Sequence, residues 1–400
     1  MGSSANLAHI NPEIVAWALK RRGVTPEEIA TKQLTAEQIK AWRDRRALPT
    51  HPQAEALAEK LRIPFLVFFL SEVPDIELEI PDLRTVSGQP EDTPPSSEFM
   101  QVINDALVRQ DWYRDSEANR DAAPLSFVGR FANRRIVREV ADDIAGALAI
   151  AELRPQVHSW KEFLDQLITR CEELGVLVFR SAVVGHATNR RLLVKEFRGF
   201  VLSDVLAPIV FINDDDAKAA QTFTLIHELA HIWIGATGIS DPNIKRRAAD
   251  LPNPIERFCN AVAAEALVPM ADFLAAWNDS IPLSANVAAL SIRYRVSSLV
   301  LLIRARDAGK ISQFTLDREF DDAWARFREQ DKRELAKLLG KEKKARGGNF
   351  WASFLIRNSK KFTDLVVASA VVGRTRFTDA ASLLGVKAAT FERYIQNEQG

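Results

Sequence analysis

"FTLIHELAHIWIG", residues 223–235, decides how the chain is read. On an α-helix, residues four apart lie on one face about a turn apart, so His227 and His231 can aim two imidazole nitrogens at a single point. That geometry suits a zinc ion. Glu228 sits about 100° round the helix from His227, where it can face a bound water without being a ligand itself. In a chain with only six histidines, an H-E-x-x-H string arises by chance with a probability on the order of one percent. Its setting adds weight, because Leu225, Ile226, Leu229, Ile232 and Trp233 make the surrounding helix a core element.

Three short runs precede this helix: "LGVLVFRSAVV" (174–184), "FRGFVLSD" (197–204) and "PIVFIND" (208–214). They are rich in β-branched and aromatic residues and bounded by Gly, Pro, Asn and Asp, which predicts a small, mainly antiparallel sheet. Asp214, Asp215 and Asp216 fall just before the helix, where carboxylates complement its N-terminal dipole and cap free amides. A catalytic zinc takes three protein ligands and leaves the fourth position to water, so a third donor is needed. "IERFCNAVAAEALVP" (255–269) offers Glu256 and Glu265. Nine residues make two and a half helical turns, so only one of the two can face the metal. Cys259 lies between them and reads as a small buried apolar residue.

"FTLIHELAH" followed by "IERFCNAVAAEALVP" resembles the ImmA/IrrE family of zinc metallopeptidases. The resemblance extends to "GFVLSDVLAPIVFIND" (199–214), similar to the strand pair before the family's metal helix, and to "LSIRYRVSSLVLLIRARDAGKIS" (290–312), similar to its helical close. On that comparison Glu256 is the third ligand, Asn260 the adjacent helix residue, and Val268-Pro269 the helix exit. The resemblance implies a Zn2+ cofactor and a zincin-like fold. The implied activity is regulatory peptidase activity on a transcriptional repressor-like protein, in a stress or mobile-element response. Two departures stand out. Gln221-Thr222 replaces a basic residue often found before the first histidine, and no oxyanion-stabilising group is secure. Tyr294 and His186 are candidates, against core packing for the tyrosine and a solvated loop for the histidine.

The N-terminal segment has its own logic. Pro12 opens one helix, Thr25 before Pro26 caps a second, and Thr35 caps a third. Trp17, Leu19, Ile29, Ile39, Trp42, Leu57, Leu61 and Ile63 then supply a small core of the helix-turn-helix kind. "WRDRRALPT" (42–50) followed by "AEALAEKLRIPFLVFF" (54–69) resembles the closing half of an XRE-type DNA-binding domain, with Arg43 in place of its usual glutamate. Arg43, Arg45 and Arg46 are the candidate DNA contacts. Residues 1–75 hold ten Lys/Arg and nine Asp/Glu, a net charge of +1, and phosphate binding depends on accumulated positive charge. "IPDLRT" (80–85) and "ALVRQDW" (106–112) resemble longer family members that fuse such a domain to the peptidase.

The expected organisation is α+β and mostly helical. It comprises a helix-turn-helix bundle over 1–75, a connector and helical segment over 76–150, a metallopeptidase domain over 151–338 and a helical unit over 339–400. Helices are predicted at 98–122, 128–150 and 159–173, and "LGKEKKARGGNF" (339–350) reads as a solvated basic hinge. At 400 residues the chain is long enough for several cores. Its 53 basic and 53 acidic residues cancel, which excludes global electrostatic attraction to nucleic acid or membrane. Two cysteines, Cys171 and Cys259, give no disulfide framework and suit a reducing cytoplasm. No signal peptide is read in "MGSSANLAHINPE", and the apolar run 63–70 is too short to span a membrane. Two functions are open: a zinc endopeptidase acting on a repressor-like protein, and a DNA-binding regulator, or antitoxin with a toxin partner, carrying a latent zinc domain.

Overall fold

The computed structural model describes residues 7–74, 95–239, 253–321 and 350–398, apart from positions 23, 33, 62, 188, 189 and 195. Most of the expected connector between 71 and 97, including "IPDLRT", and the basic hinge before Phe350 lie outside the described residues. The described residues form two compact units, one of 7–74 with 95–104 and one from 105 onward.

In the first unit, local capping chemistry sets the helix starts. Asn11 Oδ1 accepts from Glu13 N at 3.0 Å to begin α1 (Pro12–Arg22). Glu28 accepts from Thr25 N at 2.7 Å to close a capping box on α2 (Pro26–Ile29). Thr35 and Gln38 do the same for α3 (Ala36–Arg43), and Thr50 with Gln53 for α4 (His51–Leu61). The core gathers Leu19, Ile39, Trp42, Leu57, Leu61 and Ile63, with Trp17 and Ile29 packed against it, as the apolar spacing predicts.

The second unit opens with the latter part of α5 (Ser97–Ala118), followed by α6 (Val137–Ala147), α7 (Ile150–Leu153) and α8 (Trp160–Leu174). Strands β1 (Leu177–Ser181), β2 (Gly199–Leu202), β3 (Ile209–Asn213) and β4 (Gly238–Ile239) form one sheet in the order β1-β3-β2-β4. The β2–β3 and β2–β4 pairs are antiparallel, but β1 runs parallel to β3. The sheet is therefore mixed. A fourth, two-residue strand joins the three expected ones.

Every residue of β1, β2 and β3 is buried, so both faces of the sheet are covered. Val178, Val201, Val210 and Ile212 point into the main core with α9 (Lys218–Trp233) and α10 (Pro254–Leu267). The alternate residues Phe179, Phe200 and Phe211 lie on the opposite face by the period-two rule. There Phe362 meets Phe179 edge-on at 5.5 Å. Phe362 belongs to a C-terminal layer of α14 (Phe350–Asn358), α15 (Lys360–Val371), α16 (Phe377–Leu383) and α17 (Ala388–Glu398). Between α10 and this layer come α11 (Met270–Ala276), α12 (Leu283–Tyr294) and α13 (Ser298–Asp307).

The expected helix over 128–150 begins only at Val137. The preceding segment instead covers the end of α9: Gly129 N donates to Ile232 O and Phe131 N to Trp233 O, each at 2.9 Å. Carbonyls in the last turn of a helix lack partners within it, and these two bonds satisfy them. Gly235, at φ +70, lets Gly129 come close, since a Cβ on Gly235 would stand 3.2 Å from Gly129 Cα.

The motif "ALVRQDW" acts here as a tie. Gln110 Nε2 donates to Leu202 O at 3.1 Å and Ala207 O at 2.8 Å. Arg109 donates to Leu383 O and Asn358 Oδ1 and lies over the Phe179 ring. Among the described residues no single helix is long and apolar enough to cross a membrane.

Phe362 has no exposed surface and touches rings of Trp112, Tyr113 and Phe179. Phe362→Ala is expected to cost about 3–5 kcal/mol, read as a lower midpoint in urea unfolding followed by both tryptophan fluorescence and circular dichroism. An unchanged midpoint would show that the C-terminal layer does not support the sheet.

Candidate metal centre

The helix α9 carries the H-E-x-x-H string with every residue from Thr224 to Trp233 buried. Its N-cap, Ala217, makes no side-chain cap. Of the three aspartates expected there, Asp216 accepts from Ala217 N at 2.9 Å and also pairs with Arg198, Asp214 pairs with Lys218 in the first turn at 2.5 Å and with Arg180 at 3.3 Å, and Asp215 pairs with Arg191. Gln221, placed where a basic residue was expected, spans the same turn by donating to the carbonyls of Asp214 and Asp216. The loop entering α9 is thus held by ion pairs and one buried amide. On the second helix, Asn253 accepts from Ile255 N at 2.9 Å and Pro254 takes the first turn, a start that places Glu256 at the head of α10.

At the meeting of these helices His227 Nε2 and His231 Nε2 are 3.1 Å apart. Glu256 Oε2 lies 3.3 Å from His227 Nε2, and Oε1 lies 3.0 Å from His231 Nε2. Two ligands each about 2.0–2.1 Å from a zinc ion, across a tetrahedral angle, stand about 3.3 Å apart. The three observed separations match that edge length, and the donor set of two imidazoles and one carboxylate is one that zinc accepts. The residues present therefore fit the ion. Among the described residues these three form the one group of His, Cys, Asp and Glu donors close enough to share a metal.

Electrostatics favour the ligating form of two of the three donors, Glu256 and His231. Burial pushes the Glu256 carboxyl up, but the neighbouring imidazoles outweigh it and hold the group below the usual carboxylate range. Burial pulls His231 below its ordinary value despite the carboxylate beside it, which favours neutral imidazole. His227 moves the other way: burial opposes its proton, yet the charge of Glu256 prevails, aided by hydrogen bonds to Glu256 and Asn260. Asn260, one turn beyond Glu256, thus lies beside His227, placed to orient its ring. The sequence reading gave it no such task.

Glu228 is fully buried and faces the sheet. A Cβ on Gly199 would stand 2.8 Å from Glu228 Oε1, 2.7 Å from Thr224 Cγ2 and 2.9 Å from Phe211 O. Only glycine leaves room at the start of β2 for that carboxylate. The signal was visible as a glycine inside a strand pattern, which marks close approach of another group.

The other candidates fall elsewhere. Glu265 is bound to Arg304 at 2.6 Å and accepts from Met270 N. Cys259 is enclosed in the core, and burial pushes its thiol well up. Tyr294 packs in the same core under the Arg154 guanidinium, 5.2 Å from its ring. His186 is not on a solvated loop: it is half-buried, stacks on Phe354 and contacts Arg357. In the first unit Arg43 and Arg46 both pair with Asp44, and Arg45, at φ +60, pairs with Glu13.

Residues 171–306 match Peptidase_M78, the IrrE N-terminal-like domain. The matched span contains the three strands before α9, all three converging donors and Glu228. It supports a domain of metallopeptidase type. Residues 358–397 match a second family, DUF8813, a domain of unknown function. No curated protein matches the chain.

Zinc affinity, measured by competition with a chromophoric chelator, is expected to fall about 10–100-fold in Asn260→Ala, the usual effect of losing a partner that orients a ligand. Glu265→Ala should leave it unchanged. The reverse order would mean that the donors have been assigned to the wrong end of α10.

Proposed function

We propose that the chain is a zinc-dependent endopeptidase, with His227, His231 and Glu256 as ligands and Glu228 as general base. The observation that carries the reading is the convergence of three buried donors from α9 and α10 at tetrahedral spacing, with a second buried carboxylate, Glu228, on the helix position after His227. A structural zinc takes four protein ligands and needs no base, whereas three ligands with an adjacent carboxylate suit hydrolysis. Zinc held there supplies Lewis-acid chemistry, polarising a carbonyl and lowering the pKa of water towards ~7.

The chain's own groups do the rest. Glu228 accepts the proton from the attacking water and delivers it to the departing amine as the C–N bond breaks, so no covalent enzyme intermediate is needed. Gly199 positions that carboxylate by offering no side chain against it. Asn260 and Glu256 fix the His227 ring. The loop pairs of Asp214 and Asp216 with Arg180 and Arg198 brace the start of α9. For the substrate we propose a repressor-like protein, a choice supported by the resemblance to the ImmA/IrrE peptidases and by the family match over 171–306.

Glu228→Gln is expected to keep zinc at wild-type stoichiometry and to lower the cleavage rate of a repressor-type substrate by about 10²–10⁴-fold. Elemental analysis and a gel-based cleavage assay read the two quantities separately. Equal cutting by mutant and wild type would end the peptidase reading.

A further inference from the structure

We propose that the C-terminal helices form a helix-turn-helix unit that binds duplex DNA through α17 and the basic residues flanking α16. The backbone supplies the first argument. The helices α16 and α17 are joined by four residues, 384–387, and Gly385 takes φ +67 in that turn. The turn is closed by Val386 N donating to Ala381 O at 2.9 Å and Leu384 N to Ala380 O at 3.1 Å. Two helices joined by a short glycine-containing turn are the arrangement that presents a second helix to the major groove.

Burial gives α17 an inner and an outer face. Phe391, Tyr394 and Ile395 are buried, and Phe391 meets Phe377 of α16 edge-on at 5.6 Å. Ala389, Glu392, Arg393 and Gln396 are exposed. Their spacing of i, i+3, i+4 and i+7 makes them one continuous stripe. Small, carboxylate, guanidinium and amide side chains are the types that read base edges: Gln pairs with adenine, Arg with guanine, and Glu accepts from cytosine.

Charge supplies the independent argument and separates this unit from the first. Arg374, Arg376, Lys387 and Arg393 are all exposed. Among the described residues none of these four makes an ion pair, although Arg393 reaches back to Ala389 O and Thr390. The exposed carboxylates beside them are Asp379 and Glu392, so four cations face two anions. In the first unit, by contrast, Lys40, Arg43, Arg45 and Arg46 are all engaged by Glu27, Asp44 or Glu13. An unengaged guanidinium is available to a phosphate without breaking a bond, whereas a paired one must first give up its carboxylate.

The test uses the full chain and a fluorescein-labelled duplex of mixed sequence, with anisotropy read over a series of salt concentrations. Wild type is expected to bind at low salt, with a log Kd against log salt slope of about 3–4 if four phosphates are neutralised. Changing Arg374, Arg376, Lys387 and Arg393 together to Ala should weaken binding at least about tenfold and flatten the slope. The lighter pair Lys387→Gln and Arg393→Gln should do so in part, with an unaltered thermal transition. Changing Arg43, Arg45 and Arg46 to Ala should leave the curve in place, as should Glu228→Gln. Three outcomes overturn the proposal: no binding by wild type at low salt, unchanged affinity and slope in both C-terminal variants, or displacement by poly-glutamate as effective as by unlabelled duplex.

Discussion

Taking a carboxylate out of water costs several kcal/mol unless an opposite charge or good hydrogen bonds replace the solvent. This fold buries two of them beside a pair of imidazoles, Glu228 on the imidazoles' own helix and Glu256 on α10 packed against it. That cost is tolerable only if the donors meet, and a divalent cation between them is the compensation that the donor set fits best. Much of the second unit can be understood as the means of holding them together. The helix α10 starts where its Asn-Pro cap dictates, and this sets the position of Glu256. The strand β2 begins with a glycine, and this lets α9 approach closely enough to place Glu228 against the sheet.

The sheet that backs α9 is itself buried on both faces, so it depends on a second layer. Phe362, Arg109 and the Ser359–Glu172 hydrogen bond join the C-terminal helices to α5, α8 and β1. Ser359 takes φ +58 at the start of α15, an unfavourable angle for a residue with a Cβ, and its hydroxyl is engaged by both Glu172 and Phe362 N. The C-terminal layer therefore covers the sheet face opposite α9 and belongs to the same compact unit as the metal centre.

The parts legible in the sequence were those written in local terms. Apolar periodicity gave α9 and α10, threonine and proline gave the N-terminal helix starts, and an i, i+4 histidine pair gave two donors. The third donor was ambiguous on spacing alone, since Glu256 and Glu265 lie on the same helix. Tertiary contacts separate them: Glu256 stands against both imidazoles, whereas Glu265 pairs with Arg304. What could not be read was set by distant partners. Residues 128–136 have helical composition, but the open carbonyls of α9 draw them into a turn. Asp214 to Asp216 read as helix caps, and Asp216 does accept from Ala217 N, but the arginines that also pair with all three come from earlier strands and loops. His186 looks like a loop residue until Phe354 arrives from the other end of the sequence.

The same distinction governs how charge should be weighed. Residues 1–75 carry a net +1, a figure that neither supports nor excludes a polyanionic partner. The arrangement is more informative than the sum, because a lysine or arginine already bonded to a carboxylate presents a neutral pair to an approaching phosphate, with little gain in field and a bond to break. Net charge counts such a pair as two cancelling residues wherever they lie, and so cannot separate a paired surface from an unpaired one of the same composition. Around α3 the cations are paired within their own unit. Around α16 and α17 they are exposed and outside any ion pair among the described residues, beside a helix whose outer stripe is mostly polar. A chain with no net charge can therefore still concentrate positive potential locally, and it is at the C-terminal end of this one that the geometry does so.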